Sequence, residues 1–183
     1  MRVIAGSRRG LKLVSPKGSN TRPTEDRIKE NIFNLMGQEF YGATVLDLFS
    51  GTGAIGIEFL SRGADKVYFV DNSKMAIDVI SENIKKSHFE DEAVVLKMNA
   101  KSAIERLSGK KFYYIYLDPP FNNKSLYIKS IELILEKDIL AENGYIIIEQ
   151  VKDLDVDFEE YLSNVKFKNY GYTSIGIWEK KWK

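Results

Sequence analysis

A chain of 183 residues, 44% hydrophobic and 12% aromatic, is long enough for one substantial core and too short for two full domains. It has no cysteine, which excludes disulfides, cysteine-ligated zinc and thiol nucleophiles, and its formal charge of +1 by itself points to no class of partner. No apolar run approaches the ~20 residues of a membrane span, and the opening "MRVIAGSRRG" lacks a signal peptide's apolar middle, so a cytoplasmic protein without a membrane partner is expected.

In chain order, "MRVIAG" and "LKLVSP" read as short strands of a hairpin around the Gly-containing "SRRG". Charge is concentrated here: residues 1–24 carry Arg2, Arg8, Arg9, Lys12, Lys17 and Arg22 and no acid. This is a basic arm on a mildly acidic body, with a solvated tail as the plain alternative. Gly18 to Pro23 is expected to form a loop. Thr24 is read as the cap of a helix over "EDRIKENIFNLMGQEF", with Ile28, Ile32, Leu35 and Met36 on its apolar face. Residues 1–40 thus make an N-terminal hairpin-and-helix extension, and 41–183 the main domain.

A regular alternation follows. "TVLDLFS" is a strand, "GAIGIEFLSRG" a helix ended by Gly63, and "KVYFVD" a second strand. The next helix, "SKMAIDVISENIKKS", is expected to turn Met75, Ile77, Val79, Ile80 and Ile84 inward. "AVVLKMN", the helix "AKSAIERLSG" and "FYYIYLD" come next, then a helix over "SLYIKSIELILEKDIL" and the strand "GYIIIEQ". "VKFKNYGYTSIGIWEKK" closes the chain as two strands around Tyr170-Gly171. Near-continuous apolar strands separated by helices imply an α/β fold, a Rossmann-like, doubly wound, mostly parallel sheet with an antiparallel C-terminal strand.

The ligand site of such a sheet lies at the carboxyl ends of its strands. Those positions hold Asp47, Phe49, Ser50, Gly51 and Gly53 after the first strand, Asp71 and Asn72 after the second, Asn99 and Ala100 after the third, and Asp118 after the fourth. Gly51-x-Gly53-x-x-Gly56 has the spacing of a dinucleotide fingerprint, and Asp71 follows at the interval of an acid that receives ribose hydroxyls. Asp47 counts against a dehydrogenase, because a carboxylate at the glycine loop would repel a pyrophosphate. It suits S-adenosylmethionine, whose methionine part carries an ammonium and a sulfonium.

"LDPPF", Leu117 to Phe121, is the second signal. Two successive prolines remove two amide donors and stiffen the turn, which therefore presents acceptors. Asp118 and the Pro119 carbonyl suit the two N–H groups of an exocyclic amine on a planar base, and Phe121 offers a face for stacking. A plain strand-ending turn would account for Pro119 and Pro120 but not for the acid and the aromatic.

"VLDLFSGTG" with "DPPF" resembles the adenosylmethionine-dependent amino-methyltransferases of nucleic acids. "RVIAGSRRGLKL", "RPTEDRIKENIFNLM", "GYIIIEQ" and "NYGYTSIGIW" extend the likeness over almost the whole chain, and narrow it to the bacterial family that methylates the N2 amine of a guanine in 16S ribosomal RNA. The resemblance implies a class I methyltransferase sheet of seven strands and S-adenosylmethionine as cofactor, with no metal. It implies Asp118, Pro119, Pro120 and Phe121 at the target amine, and a monomer whose partner is 16S ribosomal RNA, free or in an assembling small subunit. Arg8, Arg9, Lys12, Arg22, Thr24 and Arg27 are the expected RNA contacts. Two positions depart from the pattern: Asn99 stands where an aspartate is usual, and Lys29 where an arginine would meet phosphate, leaving a charge contact. An adenine N6-methyltransferase of DNA, a protein-glutamine methyltransferase (usually with asparagine at the position of Asp118) and a noncatalytic RNA-binding module are the rivals. His88 and the acidic run Asp153 to Glu160 are given no chemistry; Trp178 and Trp182, among Lys180, Lys181 and Lys183, are read as RNA contacts, with an anchor of the sheet's edge as the equal alternative for Trp178.

Overall fold

Strands that are apolar on both faces need cover on both faces, and the chain provides it by alternating strand and helix. The computed structural model describes residues 1–16 and 23–182, the side chains of residues 23 and 24 excepted. The strands are β1 (Thr44–Asp47), β2 (Lys66–Asp71), β3 (Ala93–Lys97), β4 (Phe112–Leu117), β5 (Leu140–Val151), β6 (Leu162–Tyr170) and β7 (Thr173–Lys180). They form one sheet in the order β3-β2-β1-β4-β5-β7-β6. β1 to β5 pair in parallel, and β7 runs antiparallel to both β5 and β6. The order reverses between β1 and β4, which opens a crevice at their carboxyl ends.

The helices are α1 (Pro23–Met36), α2 (Ala54–Ser61), α3 (Lys74–Ser87), α4 (Ala100–Arg106) and α5 (Lys124–Glu136). Alternate strand residues face two cores. On one side Val45, Val67, Phe69, Tyr116 and Ile147 meet Ile32 and Phe33 of α1, Ile57 and Phe59 of α2, and Ile80 of α3. On the other, Leu46, Val70, Ile115, Leu117 and Ile148 meet Ala103 and Ile104 of α4 and Tyr127, Ile131 and Ile134 of α5. Close contact between α2 and β2 depends on Gly56, where an added Cβ would stand 2.3 Å from the Phe69 ring.

Three local expectations need correction. α1 begins at Pro23, so Thr24 lies inside its first turn rather than capping it, consistent with the suitability of proline for a first helical position. The helix stops at Met36 because Gly37 takes φ +129°, and its innermost residues include Phe33. Met75 is 65% exposed although it was expected inward. Five residues before the buried Ile80, it points roughly 140° away from it around the helix.

The N-terminal hairpin is built on the bridge between Arg2 and Lys12, with Val3 N–H donating to Leu11 O at 2.9 Å and Leu13 N–H to Met1 O at 2.9 Å. Val3 and Leu13 belong to the same core as β1, α1 and α2. One fully buried carboxylate, Glu58 of α2, fastens this corner. It accepts the N–H groups of Ile4 and Ala5 at 3.0 Å each, Arg62 Nε at 2.9 Å, and pairs with Lys29 Nζ at 3.3 Å. Lys29 also donates to Arg2 O at 2.5 Å.

Removing one partner from a buried ion cluster leaves uncompensated charge, which typically costs about 3–5 kcal/mol. Glu58→Ala is expected to lose that much in urea denaturation and to expose the Ile4 and Ala5 amides to hydrogen exchange. A loss below about 1 kcal/mol with those amides still protected would show that the cluster does not hold the hairpin.

Candidate functional site

The pleat sets which side chains reach the crevice. Asp47 pairs in register with Tyr116, and Tyr116 with Ile147, so these three share one face of the sheet. One step further toward the carboxyl edge, Leu117 pairs with Ile148, which makes Asp118 and Glu149 neighbours beyond that row. They line a cavity of about 610 Å³ together with Asp47, Phe49, Ser50 and Gly51 at the end of β1, Lys29 and Glu25 of α1, and Met1 and Ser15 of the hairpin.

The glycine loop is held from below. Asp71 accepts the Gly51 N–H at 3.0 Å through one oxygen and the Ser73 N–H at 2.9 Å through the other. Ser50 spends its hydroxyl on joining strands, donating to Asp47 O at 2.7 Å and accepting Val70 N–H at 3.0 Å. Gly53 turns the chain into α2 at φ +80°. Asp47 is buried at 1% exposure, and neither carboxylate oxygen has a hydrogen-bond partner among the described residues. Burial pushes its carboxyl up to about 7; the nearby Gly56 amide and Ser50 hydroxyl temper the rise, and Asp71 adds to it. An unpaired buried carboxylate beside an open cavity is suited to a cation, and therefore fits the ammonium and sulfonium of S-adenosylmethionine.

Asp118 is open to the cavity, yet its carboxyl is pushed well above the usual range by burial first and then by the carboxylates of Glu149 and Asp47. Burial also raises Glu149, against a hydrogen bond donated by the Tyr116 hydroxyl. After Pro119, at φ −59° and ψ 145°, the chain makes a 3-10 turn over Pro120–Asn122. Phe121 sits there at φ +58°, a left-handed conformation that bulky residues rarely adopt, with its side chain 98% exposed. Asn123 ends the turn by accepting the Leu126 N–H at 3.2 Å and starting α5.

Asp47, Phe49, Ser50, Gly51 and Asp118 therefore meet around one cavity, while Asp71 and Gly53 shape its floor. Asn72 is exposed, Asn99 caps α4 by accepting Ser102 N–H at 2.8 Å, and Ala100 is the buried first residue of that helix. These three lie at the ends of β2 and β3, outside the cavity's lining. Sequence reasoning missed Tyr116 and Glu149. Glu149 was findable, since it ends the apolar run of "GYIIIEQ" as Asp118 ends that of the preceding strand.

The basic residues divide. Arg9, Lys12 and Arg27 are exposed; Arg22 lies outside the described residues, as does the side chain of Thr24. Arg8 is half-buried, donating Nε–H to Ser87 O at 2.6 Å and stacking 4.7 Å from the Phe89 ring centre, so it pins the hairpin to α3. Lys29 is not a free surface cation: it is 3% exposed, paired with Glu58, and burial pulls its pKa down. The hairpin tip also lies far from the cavity. Ser7 and Arg8 bond to Ser61 at the C-terminal end of α2, beside the amino edge of the sheet. Met1 and Ser15, at the hairpin's open end, line the cavity at the carboxyl edge. The two ends of the hairpin thus lie at opposite edges of the sheet.

Comparison with known proteins places the chain among relatives. The profile of the family described as Conserved hypothetical protein 95 matches residues 1–179. The Bacillus subtilis (strain 168) protein YlbH is 37% identical over 186 residues, covering 99% of this chain and 100% of its own length. The Ribosomal RNA small subunit methyltransferase D of Haemophilus influenzae is 32% identical over 181 residues, covering 98% of this chain and 93% of its own. The solved structure of Escherichia coli yhhF superposes with a TM-score of 0.86 at 26% identity, covering 99% of this chain and 98% of that one.

The unpaired Asp47 carboxylate has a stability signature. Its native pKa of about 7 lies above the ordinary 3.8. Between those values the unfolded chain releases a proton that the folded one keeps, so stability falls as pH rises toward 7 and is level above it. Asp47→Asn removes that fall. Its melting temperature should exceed that of the unaltered protein by a margin growing from pH 5 to 7.5, worth at most about 4 kcal/mol. A margin independent of pH would contradict a buried, unpaired carboxylate.

Proposed function

The chain belongs to the Conserved hypothetical protein 95 family, and from that premise we propose that it transfers a methyl group from S-adenosylmethionine to the exocyclic N2 amine of a guanine in 16S ribosomal RNA. The protein is an S-adenosylmethionine-dependent methyltransferase of ribosomal RNA. One observation supports the amine target above all others. Asp118 lines the cavity and leads into a turn whose two prolines carry no amide donor, with the Phe121 ring held out in the open on that turn.

The cofactor supplies a methyl carbon already activated by its sulfonium. In this reading Asp47 holds the cationic methionine part, Asp71 receives the ribose hydroxyls, and Gly51 and Gly53 let the backbone approach closely. Phe49, Asn72, Asn99 and Ala100 border the adenine. On the acceptor side, Asp118 and Pro119 accept the two N–H groups of the amine, and Phe121 stacks on the base. Drawing those hydrogens toward two fixed acceptors aims the nitrogen lone pair at the methyl and stabilises the positive charge that develops on nitrogen. A carboxyl raised by its surroundings, as Asp118 is, accepts the released proton more readily than an ordinary carboxylate. Arg9, Lys12, Arg22 and Arg27 supply phosphate contacts beyond the pocket.

Mapping methylated nucleotides in ribosomal RNA from cells with and without the gene tests the target directly. Methylation lost from one guanine N2 of the small subunit is the expected result; loss from an adenine, or from DNA, would replace it. With the acceptor in hand, Asp118→Ala should slow methyl transfer by roughly 100-fold or more while calorimetric affinity for S-adenosylmethionine stays near normal. Phe121→Ala should chiefly raise KM for the RNA.

Truncating the hairpin would remove core residues Val3 and Leu13, so charge substitution is the sound test of the basic surface. Replacing Arg9, Lys12 and Arg27 with alanine should flatten the slope of log affinity against log salt by about 2, at roughly 0.7 per contact. An unchanged slope would take RNA contact away from these residues.

A further inference from the structure

The order of the strands divides the carboxyl edge of the sheet. β3, β2 and β1 carry Asn99, Asp71 and the glycine loop, the half that the cofactor uses in the reading above. β4, β5 and β7 carry Asp118, Glu149 and Thr173, all of which line the cavity. The acceptor base belongs to this second half, where Glu149 is a carboxylate with no part in the chemistry described so far.

Its surroundings give Glu149 a fixed direction. The Tyr116 hydroxyl donates to Glu149 Oε2, and the Tyr127 hydroxyl donates to the Glu149 backbone oxygen at 2.7 Å. Two tyrosines from β4 and α5 thus hold both the strand end and the side chain. The Tyr116 bond favours the ionised form, which only accepts hydrogen bonds. Glu149 also lies close enough to Asp118 for its charge to act on that carboxyl.

The purine edges differ at one atom next to the amine. Guanine presents N1–H beside its N2 amine, whereas adenine presents a bare N1 lone pair beside its N6 amine. Asp118 and Pro119 account for the amine hydrogens of a flipped guanine, and its N1–H, taken out of water, needs an acceptor of its own. Resting on the guanine reading above, we infer that Glu149 accepts the N1–H of the target base and is the residue that selects guanine over purines with an unprotonated N1. A carboxylate facing an N1 lone pair sets acceptor against acceptor, and sites that require a hydrogen bond discriminate strongly against analogues that lack it.

The test uses 2-aminopurine, which keeps the 2-amine but has no N1–H. Small subunits are reconstituted from ribosomal RNA carrying guanosine or 2-aminopurine riboside at the mapped position, and kcat/KM is measured on the particles and on the free RNA. The unaltered enzyme should prefer guanosine by at least ~100-fold; methylation of the two within threefold of each other overturns the proposal without any variant. Glu149→Gln turns an amide toward N1, and should lower activity on guanosine while narrowing the preference at least tenfold. A parallel loss on both bases, with the preference intact, would make Glu149 only a support for the strand end and overturn the proposal. Glu149→Asp, which keeps an acceptor, should retain the guanosine preference; losing it would count equally against the proposal. An unaltered enzyme that methylates neither RNA while methylating an adenine acceptor would instead overturn the guanine reading itself.

Discussion

The buried carboxylate of Glu58 decides where the walls of the site stand. It sits in α2, the helix that leaves the glycine loop, and gathers Lys29 from α1, Arg62 from its own helix and the amides of Ile4 and Ala5 from the hairpin. Lys29 and Met1 line the cavity on the side facing the sheet edge. A site whose floor is the sheet and whose wall is the N-terminal extension thus has floor and wall referred to one helix. Burying a charge is unfavourable unless all its bonds are met, and four partners meet them here. Because each partner comes from a defined place in the fold, this cluster also specifies a single arrangement of the corner.

The carboxyl edge of the sheet is built on the opposite principle. Asp47 is left without hydrogen-bond partners among the described residues, and burial, with the charges of Glu149 and Asp47, makes Asp118 harder to ionise. These carboxylates weaken the fold of the protein taken alone, and the groups they would receive, a cation on one side and N–H donors on the other, relieve them. On the proposed reading, recognition by unmet acceptors would let one cavity serve two chemically different ligands. Both present positive charge or positive hydrogen.

Much of this was legible in the sequence because it depends on local pattern. Apolar runs ending in acids marked the strands and the ligand edge, and "FSGTG" and "DPPF" carried their own backbone logic of tight turn and missing donor. What escaped depended on contacts between distant segments. Lys29 and Arg8 looked like free cations because nothing in their neighbourhood names Glu58 or Phe89 as partners. Met75 was misread because an apolar residue out of phase still counts in a composition-weighted helix. Thr24 looked like a cap because hydroxyls usually occupy that position, while Pro23 already begins the helix. Glu149 escaped for a different reason: the rule that found Asp118 applied to it equally, one strand further along.

The hairpin has its open end at the cavity and its basic tip at the far edge of the sheet. An RNA that touches Arg9 while yielding a base to Asp118 must reach from one edge of the sheet to the other. A flexible single strand holds such a span only by giving up conformational freedom, whereas a folded RNA already holds it. If RNA is bound in the way proposed above, the protein would work as a caliper. It would gauge the three-dimensional shape of its substrate before it read a single base, and a molecule with the right nucleotide in the wrong fold would close the jaws on nothing.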